Sequence, residues 1–192
     1  MALFSKRDLI PKFAEGGLIK GFSDYEILLE SQDRTKEYNI FLSHSYLNAI
    51  EISELKKVIQ KYGFSVYVDW IEDKKLSRNN VTKETARILR ERMKHCETLI
   101  YAHTVESSIS KWMQWELGFF DGFKGKVSIL PIEEKATGTD DYKGLEYLGL
   151  YPYITKEIDD KGIQRLWVNE GNPETFVAYE EYLQGRKLTK RK

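Results

Sequence analysis

Residues 38–68 read YNIFLSHSYLNAIEISELKKVIQKYGFSVYV, and the order of patterns inside this stretch decides the fold. Tyr38 to Leu42 is a short β-rich run that ends in the polar turn Ser43-His44-Ser45. Ile52, Leu55, Val58, Ile59 and Tyr62 then recur at spacings of three and four, the period of an amphipathic helix whose apolar stripe faces a sheet. Gly63 stands where a left-handed C-cap residue is wanted, and Phe64 to Val68 is a second β-rich run. Strand, helix, glycine and strand in this order form a βαβ unit, the connection that makes neighbouring strands parallel.

The alternation continues outward. After Asp69 and Trp70, residues 71–80 (IEDKKLSRNN) follow neither period and form a charged loop. A helix capped by Asn80 or Thr82 comes next, with Ala86, Leu89, Met93 and Cys96 on one side. Thr98 to Ala102 is the third strand, and the serines of 103–110 (HTVESSIS) can cap a helix running from Lys111 to Asp121 and ending at Gly122. Lys126 to Ile132 is the fourth strand, with Pro131 tolerated near its end. An irregular surface loop at 133–144 leads to a fifth strand of edge type, Tyr151 to Thr155. Ile163 to Val168 can pair with Tyr153 to Ile158 across a turn at Asp159 to Gly162, and Pro173 to Gln184 reads as a terminal helix.

The expected fold is therefore α/β, a flavodoxin-like doubly wound five-stranded parallel sheet with N- and C-terminal additions. The divisions are an extension at 1–37 with a helical pattern near Tyr25 to Glu30, a central domain at 38–155, and a hairpin and helix at 156–192. Ligands of such sheets bind beyond the carboxyl ends of the strands, where the winding reverses. That rule gathers Ser43 to Tyr46, Asp69 to Asn80, and the segment from His103 into the helix bearing Trp112 and Glu116.

Thirty basic residues balance thirty acidic ones, so no global field draws the chain to nucleic acid or to an anionic membrane, and neither is an expected partner. The basic end, Arg186-Lys187 and Lys190 to Lys192, reads as a solvated terminus. Cys96 is the only cysteine, so no intramolecular disulfide forms. Charges at Lys6, Arg7, Asp8 and Lys12 interrupt any signal-peptide core, and no apolar run reaches the roughly 18 residues of a spanning helix. A cytoplasmic location is expected. Gly16-Gly17 and Gly21 do not fit the dinucleotide fingerprint, no Walker glycine loop occurs, and His44, His95, His103 and Cys96 lack metal-ligand spacing. Neither a metal nor a resident cofactor is expected. Ser43-His44-Ser45 offers nucleophile-like groups, but sequence neighbours do not make a triad, and helix capping is its ordinary role.

The sharpest constellation is Lys111 to Leu117, KWMQWEL. Trp112 and Glu116 are four apart on a helix, so the indole sits one turn before the carboxylate on the same face. The same spacing arises in any amphipathic helix whose tryptophans are core and whose glutamate is solvated, and spacing alone leaves both readings open.

Taken together, FLSHS (41–45), VYVDW (66–70), LIYAHT (99–104) and SISKWMQWELGFF (108–120), in this order, resemble the Toll/interleukin-1 receptor (TIR) domain family, especially its bacterial members, over about residues 38–155. The resemblance implies an NAD+ glycohydrolase or cyclase with NAD+ as substrate and Glu116 as the catalytic residue. Trp112 then shapes the ribose and nicotinamide pocket, and Ser43, Tyr46, Asp69 and Trp70 line its other wall. Lys74 and Arg78, on the loop matching the family's BB loop, meet pyrophosphate or are simply solvated; Asp69 and Trp70 equally fit as strand cap and core. One carboxylate suffices for such chemistry, because nicotinamide leaves as a neutral molecule and an oxocarbenium-like state needs only a negative partner. The family's assembly through the BB loop implies a homo-oligomer built on TIR–TIR contacts. A chain of this length implies a separate effector protein that senses the product (ADP-ribose, a cyclic isomer or a related adduct), as in Thoeris-type antiphage defence. Two other readings stay open: a non-catalytic TIR module that assembles with other TIR domains, and a nucleoside deoxyribosyltransferase-like enzyme.

Overall fold

A computed structural model of the chain describes residues 1–9, 36–45, 49–73, 82–104, 107, 110–135, 139–144 and 146–190. Tyr46, Lys74, Arg78 and the helical pattern near Tyr25 to Glu30 lie outside these residues. The chain opens with β1 (Phe4–Ser5) and a 3-10 turn (Lys6–Leu9). Then follow β2 (Tyr38–Ser43), α1 (Ala49–Lys61), β3 (Val66–Tyr67), α2 (Asp69–Glu72), α3 (Lys83–Lys94), β4 (Cys96–His103), α4 (Lys111–Lys124) and β5 (Val127–Glu133). After a 3-10 turn at Glu146–Leu150 come β6 (Tyr153–Ile158), β7 (Gln164–Glu170), β8 (Asn172–Ala178), α5 (Tyr179–Leu183) and β9 (Thr189–Lys190).

Strands β3-β2-β4-β5-β6 lie in that order and are all parallel, the flavodoxin-like winding. Two apolar layers cover the sheet. Ile52, Leu55 and Ile59 of α1 are buried with Ile40, Leu42, Ile100 and Leu130 on one face, each such side chain contributing about 1.5–3 kcal/mol of transfer energy. Leu89 and Met93 of α3 and Met113, Leu117 and Phe120 of α4 pack with Phe41, Leu99, Tyr101 and Ile129 on the other. The caps are local. Thr82 accepts from the Thr85 N–H at 3.1 Å at the start of α3, and Gly63 follows α1 with φ 91°.

Several elements differ from the sequence reading. Cys96 is not on a helix but opens β4, because Tyr38 pairs with it in register and draws the strand two residues earlier than β-propensity marks it. Helix α4 passes through Gly122 and stops at Gly125, whose φ of 65° and N–H bond to the Phe120 carbonyl end the helix. Strand β6 is not an edge. It pairs with β5 on one side and over its whole length with β7 on the other, and Ala2 bridges to Lys156. The segment from Pro173 is a strand, not a helix. Gly171, with φ 70°, turns β7 back into β8, and Thr175, Phe176 and Val177 are of strand-forming type, so only Tyr179–Leu183 remain helical. Both additions join the main sheet, which has nine strands among the described residues: β1 pairs with β5, and β7, β8 and β9 extend it antiparallel beyond β6.

Candidate active site

Side chains alternate across a strand, so the register of β2 and β4 sets what stands on each face at the carboxyl edge. Ser43, the last residue of β2, is the register partner of Tyr101, and Phe41 and Leu99, two residues earlier on each strand, belong to the α4-side core. Ser43 and Tyr101 therefore rise side by side beneath α4. Ser110 caps that helix, its hydroxyl accepting from the Met113 N–H, and the period of α4 turns Met113, Glu116, Leu117 and Phe120 inward. Glu116 meets Ser43. The serine hydroxyl donates to Glu116 Oε2 at 2.6 Å, and both residues are fully buried. A carboxylate oxygen held this closely by a hydroxyl has the short length of a charge-assisted bond.

His44 extends the arrangement. Its Nδ1 lies 2.9 Å from the Leu42 carbonyl, and the Trp70 indole N–H donates to its Nε2 at 2.8 Å. An indole can only donate, so Nε2 is the acceptor and the proton sits on Nδ1, giving a neutral imidazole. Asp69 Oδ1 stands 3.7 Å from the same Nε2. That approach is not an ion pair while Trp70 occupies the nitrogen. Asp69 and Trp70 thus belong to α2, packed against the turn that carries Ser43. Behind them Arg92 grips Asp73 with two bonds of 2.8 and 3.0 Å, and Tyr67 donates to the same carboxylate at 2.7 Å, all within the protein.

On the other flank, burial pushes the Tyr101 hydroxyl up to about 12, with the nearby Tyr147 hydroxyl and the Glu116 carboxylate adding to the effect. Tyr101 is thus neutral. At the end of β4, Tyr142 lies 2.9 Å from His103 Nδ1, and burial lowers the imidazole's basicity.

Of the residues singled out from the sequence, the structure brings Ser43 and Glu116 into direct contact and sets Asp69 and Trp70 against the neighbouring His44. Trp112 is half-buried one turn before Glu116, its ring edge-on to Trp115 at 5.2 Å. Sequence reasoning placed His44 at this edge only as part of a capping turn, and missed Tyr101 and the Asp73–Arg92 pair. His44 had a signal, since it stands between two serines at a strand end. Tyr101 had one as well, the same strand parity as Ser43.

Fold and site together define the class: a doubly wound α/β protein with a buried, serine-bound carboxylate on the helix that follows its third parallel strand. No family model matches the chain. Among curated proteins it is 44% identical over 195 residues to the "Probable 3' cyclic ADP-D-ribose synthase ThsB'" of Bacillus cereus (strain MSX-D12), covering 96% of this chain and 99% of that protein. The chain belongs to the family of that protein. It is also 28% identical over 104 residues to a protein of Cytobacillus dafuensis provisionally named cyclic ADP-D-ribose synthase TIR2, a match over 54% of this chain and 27% of that one. Among the described residues, no helix is long and apolar enough to cross a membrane.

Proposed function

We propose that this chain cleaves the bond between nicotinamide and ribose in NAD+ and closes the remaining ADP-ribosyl group into a cyclic ADP-ribose product. The observation that carries the reading is the Glu116 carboxylate, fully buried and bonded to Ser43 at the carboxyl edge of the sheet. The 44% identity, over 99% of its length, to the protein named "Probable 3' cyclic ADP-D-ribose synthase ThsB'" supports it. As the glycosidic bond lengthens, positive charge grows on the ribose ring, and a carboxylate in a low-dielectric setting stabilises that charge far more than it would in water. Its oxygens also suit the ribose hydroxyls as acceptors, with Ser43 fixing the orientation of the carboxyl group. Nicotinamide departs with the bonding electron pair and is neutral, so the leaving group needs no acid. NAD+ is substrate here, without a further cofactor. Trp112, Tyr46, Asp69 and Trp70 frame the ligand, and Lys74 and Arg78 meet its pyrophosphate. The chain acts in the cytoplasm in Thoeris-type antiphage defence, assembled through its 71–80 loop, and a separate effector reads the product.

The test is incubation of the purified chain at high concentration with NAD+, with mass analysis of products. Wild type is expected to release nicotinamide and form a cyclic product, and Glu116→Ala to lose about 100-fold or more, the range for removal of one charge-stabilising group. Equal release by both removes Glu116 from the chemistry. No release by wild type leaves an assembling, non-catalytic module.

A further inference from the structure

Ser43 and His44 are chain neighbours that leave the end of β2 in opposite directions. Phe41 belongs to the α4-side core and Leu42 to the α1-side core, so alternation sends Ser43 to the first face and His44 to the second. Their partners agree. Ser43 donates to Glu116 on α4, while His44 accepts from Trp70 of α2, whose ring packs against the layer containing Leu42 and Ile52. His44 is fully buried and both of its ring nitrogens are engaged, Nδ1 with the Leu42 carbonyl of its own strand at 2.9 Å and Nε2 with the Trp70 indole N–H at 2.8 Å. The end of β2 is thus held from both faces, by a serine that reaches the carboxylate and by a histidine that reaches α2. Burying an imidazole costs free energy that burying an apolar side chain does not, so packing alone does not call for one here.

We propose that His44 is a positioning residue for the reaction at Glu116: as the acceptor of the Trp70 N–H it fixes the end of β2, and with it the Ser43 hydroxyl that orients the carboxylate. The proposal rests on the reading of Glu116 as the group that stabilises the ribosyl cation. A carboxylate serves that purpose only while its lone pairs point at the developing charge, and a misplacement of about 1 Å can cost about 100-fold in rate. Ser43 is joined to His44 by a peptide bond, so its hydroxyl follows the backbone that the Trp70 bond holds. Asp69 sharpens the requirement. Its Oδ1 lies 3.7 Å from the same Nε2. An imidazole with a proton on Nε2 would meet the indole N–H donor to donor and turn to this carboxylate instead, so the arrangement belongs to the tautomer with its proton on Nδ1. His44 acts through Ser43 and needs no contact with the substrate.

The test exchanges the ring for side chains that keep one of its two bonds. His44→Gln places a carbonyl oxygen near the position of Nε2 and keeps an acceptor for Trp70, whereas His44→Asn reaches only as far as Nδ1, keeping a donor for the Leu42 carbonyl and losing the Trp70 bond. In nicotinamide release from NAD+, His44→Asn is expected to lower kcat about tenfold or more with KM within about twofold, the effect of leaving one buried donor unpaired. His44→Gln is expected to keep kcat within about threefold of wild type, since the acceptor is restored. In a Ser43→Ala background the hydroxyl through which His44 acts is gone, and His44→Asn should lower kcat by less than about twofold more. Wild-type kcat in His44→Asn, equal losses in the Asn and Gln variants, or a loss that multiplies in full with Ser43→Ala overturns the proposal. Should His44→Asn not fold, nitrogen NMR of the wild-type imidazole decides: a protonated Nδ1 and an accepting Nε2 are expected, and a proton on Nε2 overturns the proposal. A wild type that releases no nicotinamide, or a Glu116→Ala variant that releases as much as wild type, sinks the reading of Glu116 and the role of His44 with it, whereas the outcomes above sink that role alone.

Discussion

Ser43→Ala removes one hydroxyl and nothing else, and its consequence follows from two facts. The bond to Glu116 is 2.6 Å long, and neither partner has exposed surface, so solvent cannot take over the donor's place. A hydrogen bond to a charged group contributes about 1.5–3 kcal/mol, and complete burial favours the upper half of that range. Expressed as a rate, that upper half is about 40- to 150-fold at roughly 1.4 kcal/mol per factor of ten. The loss is expected in two measurements. Urea unfolding should show a lower midpoint with an unchanged slope, since the bond exists in the substrate-free fold. If Glu116 acts as proposed, initial rates of nicotinamide release should show the larger fall in kcat, because the serine would then orient the carboxylate that acts in the transition state. A serine that merely lined the substrate pocket would raise KM instead. Wild-type midpoint and kcat in Ser43→Ala, or a defect confined to KM, would refute the orienting role.

Two further outcomes are expected. Asp73→Ala leaves the buried Arg92 guanidinium without the carboxylate that accepts two of its bonds, and should cost about 3–5 kcal/mol of stability, seen as a large drop in the chemical unfolding midpoint; a loss below about 1 kcal/mol would mean that Arg92 readily finds water or another partner. Burial holds the His103 imidazole below the ordinary histidine value of 6.5, so as pH falls the unfolded chain takes up its proton before the folded one does. The His103 contribution is therefore complete above 6.5 and is lost as pH drops from there toward the lowered folded value. His103→Gln should flatten the fall of stability across that window, and identical slopes for the two proteins would remove His103 as its source.

The parts of the fold legible in the sequence were those decided by neighbours in the chain. Gly63, Thr82 and Ser110 act at helix ends through bonds to residues within a turn, and the apolar stripes of α1 and α4 need only their own period. What depended on a distant partner was misread. Cys96 joins β4 because Tyr38 lies opposite, and Pro173 lies in a strand because β7 pairs with the residues after it. The site divides in the same way. That Ser43 and Glu116 lie near each other was legible because the edge rule for wound sheets brings the end of one strand close to the helix that follows another. The Asp73–Arg92 pair was not, since it joins residues 19 apart on separate elements, which leaves neither a period nor a motif.

The Asp73–Arg92 pair also bears on how the site is held. Buried ion pairs are often replaceable by apolar side chains without loss of stability, so their presence is poor evidence of a stability role and better evidence that a position is being specified. Here the specified position is the end of α2. Arg92 and Tyr67 fix Asp73, while Tyr38 and Lys56 bind the preceding Glu72. The start of the same short helix carries Asp69 and Trp70, and Trp70 holds the neutral His44 beside Ser43. Polar contacts therefore tie α3 to the end of α2, and the start of α2 to His44, the chain neighbour of the serine bonded to Glu116. In a four-residue helix with no side-chain cap hydrogen bond at its start, such outside anchoring keeps Trp70 in reach of His44.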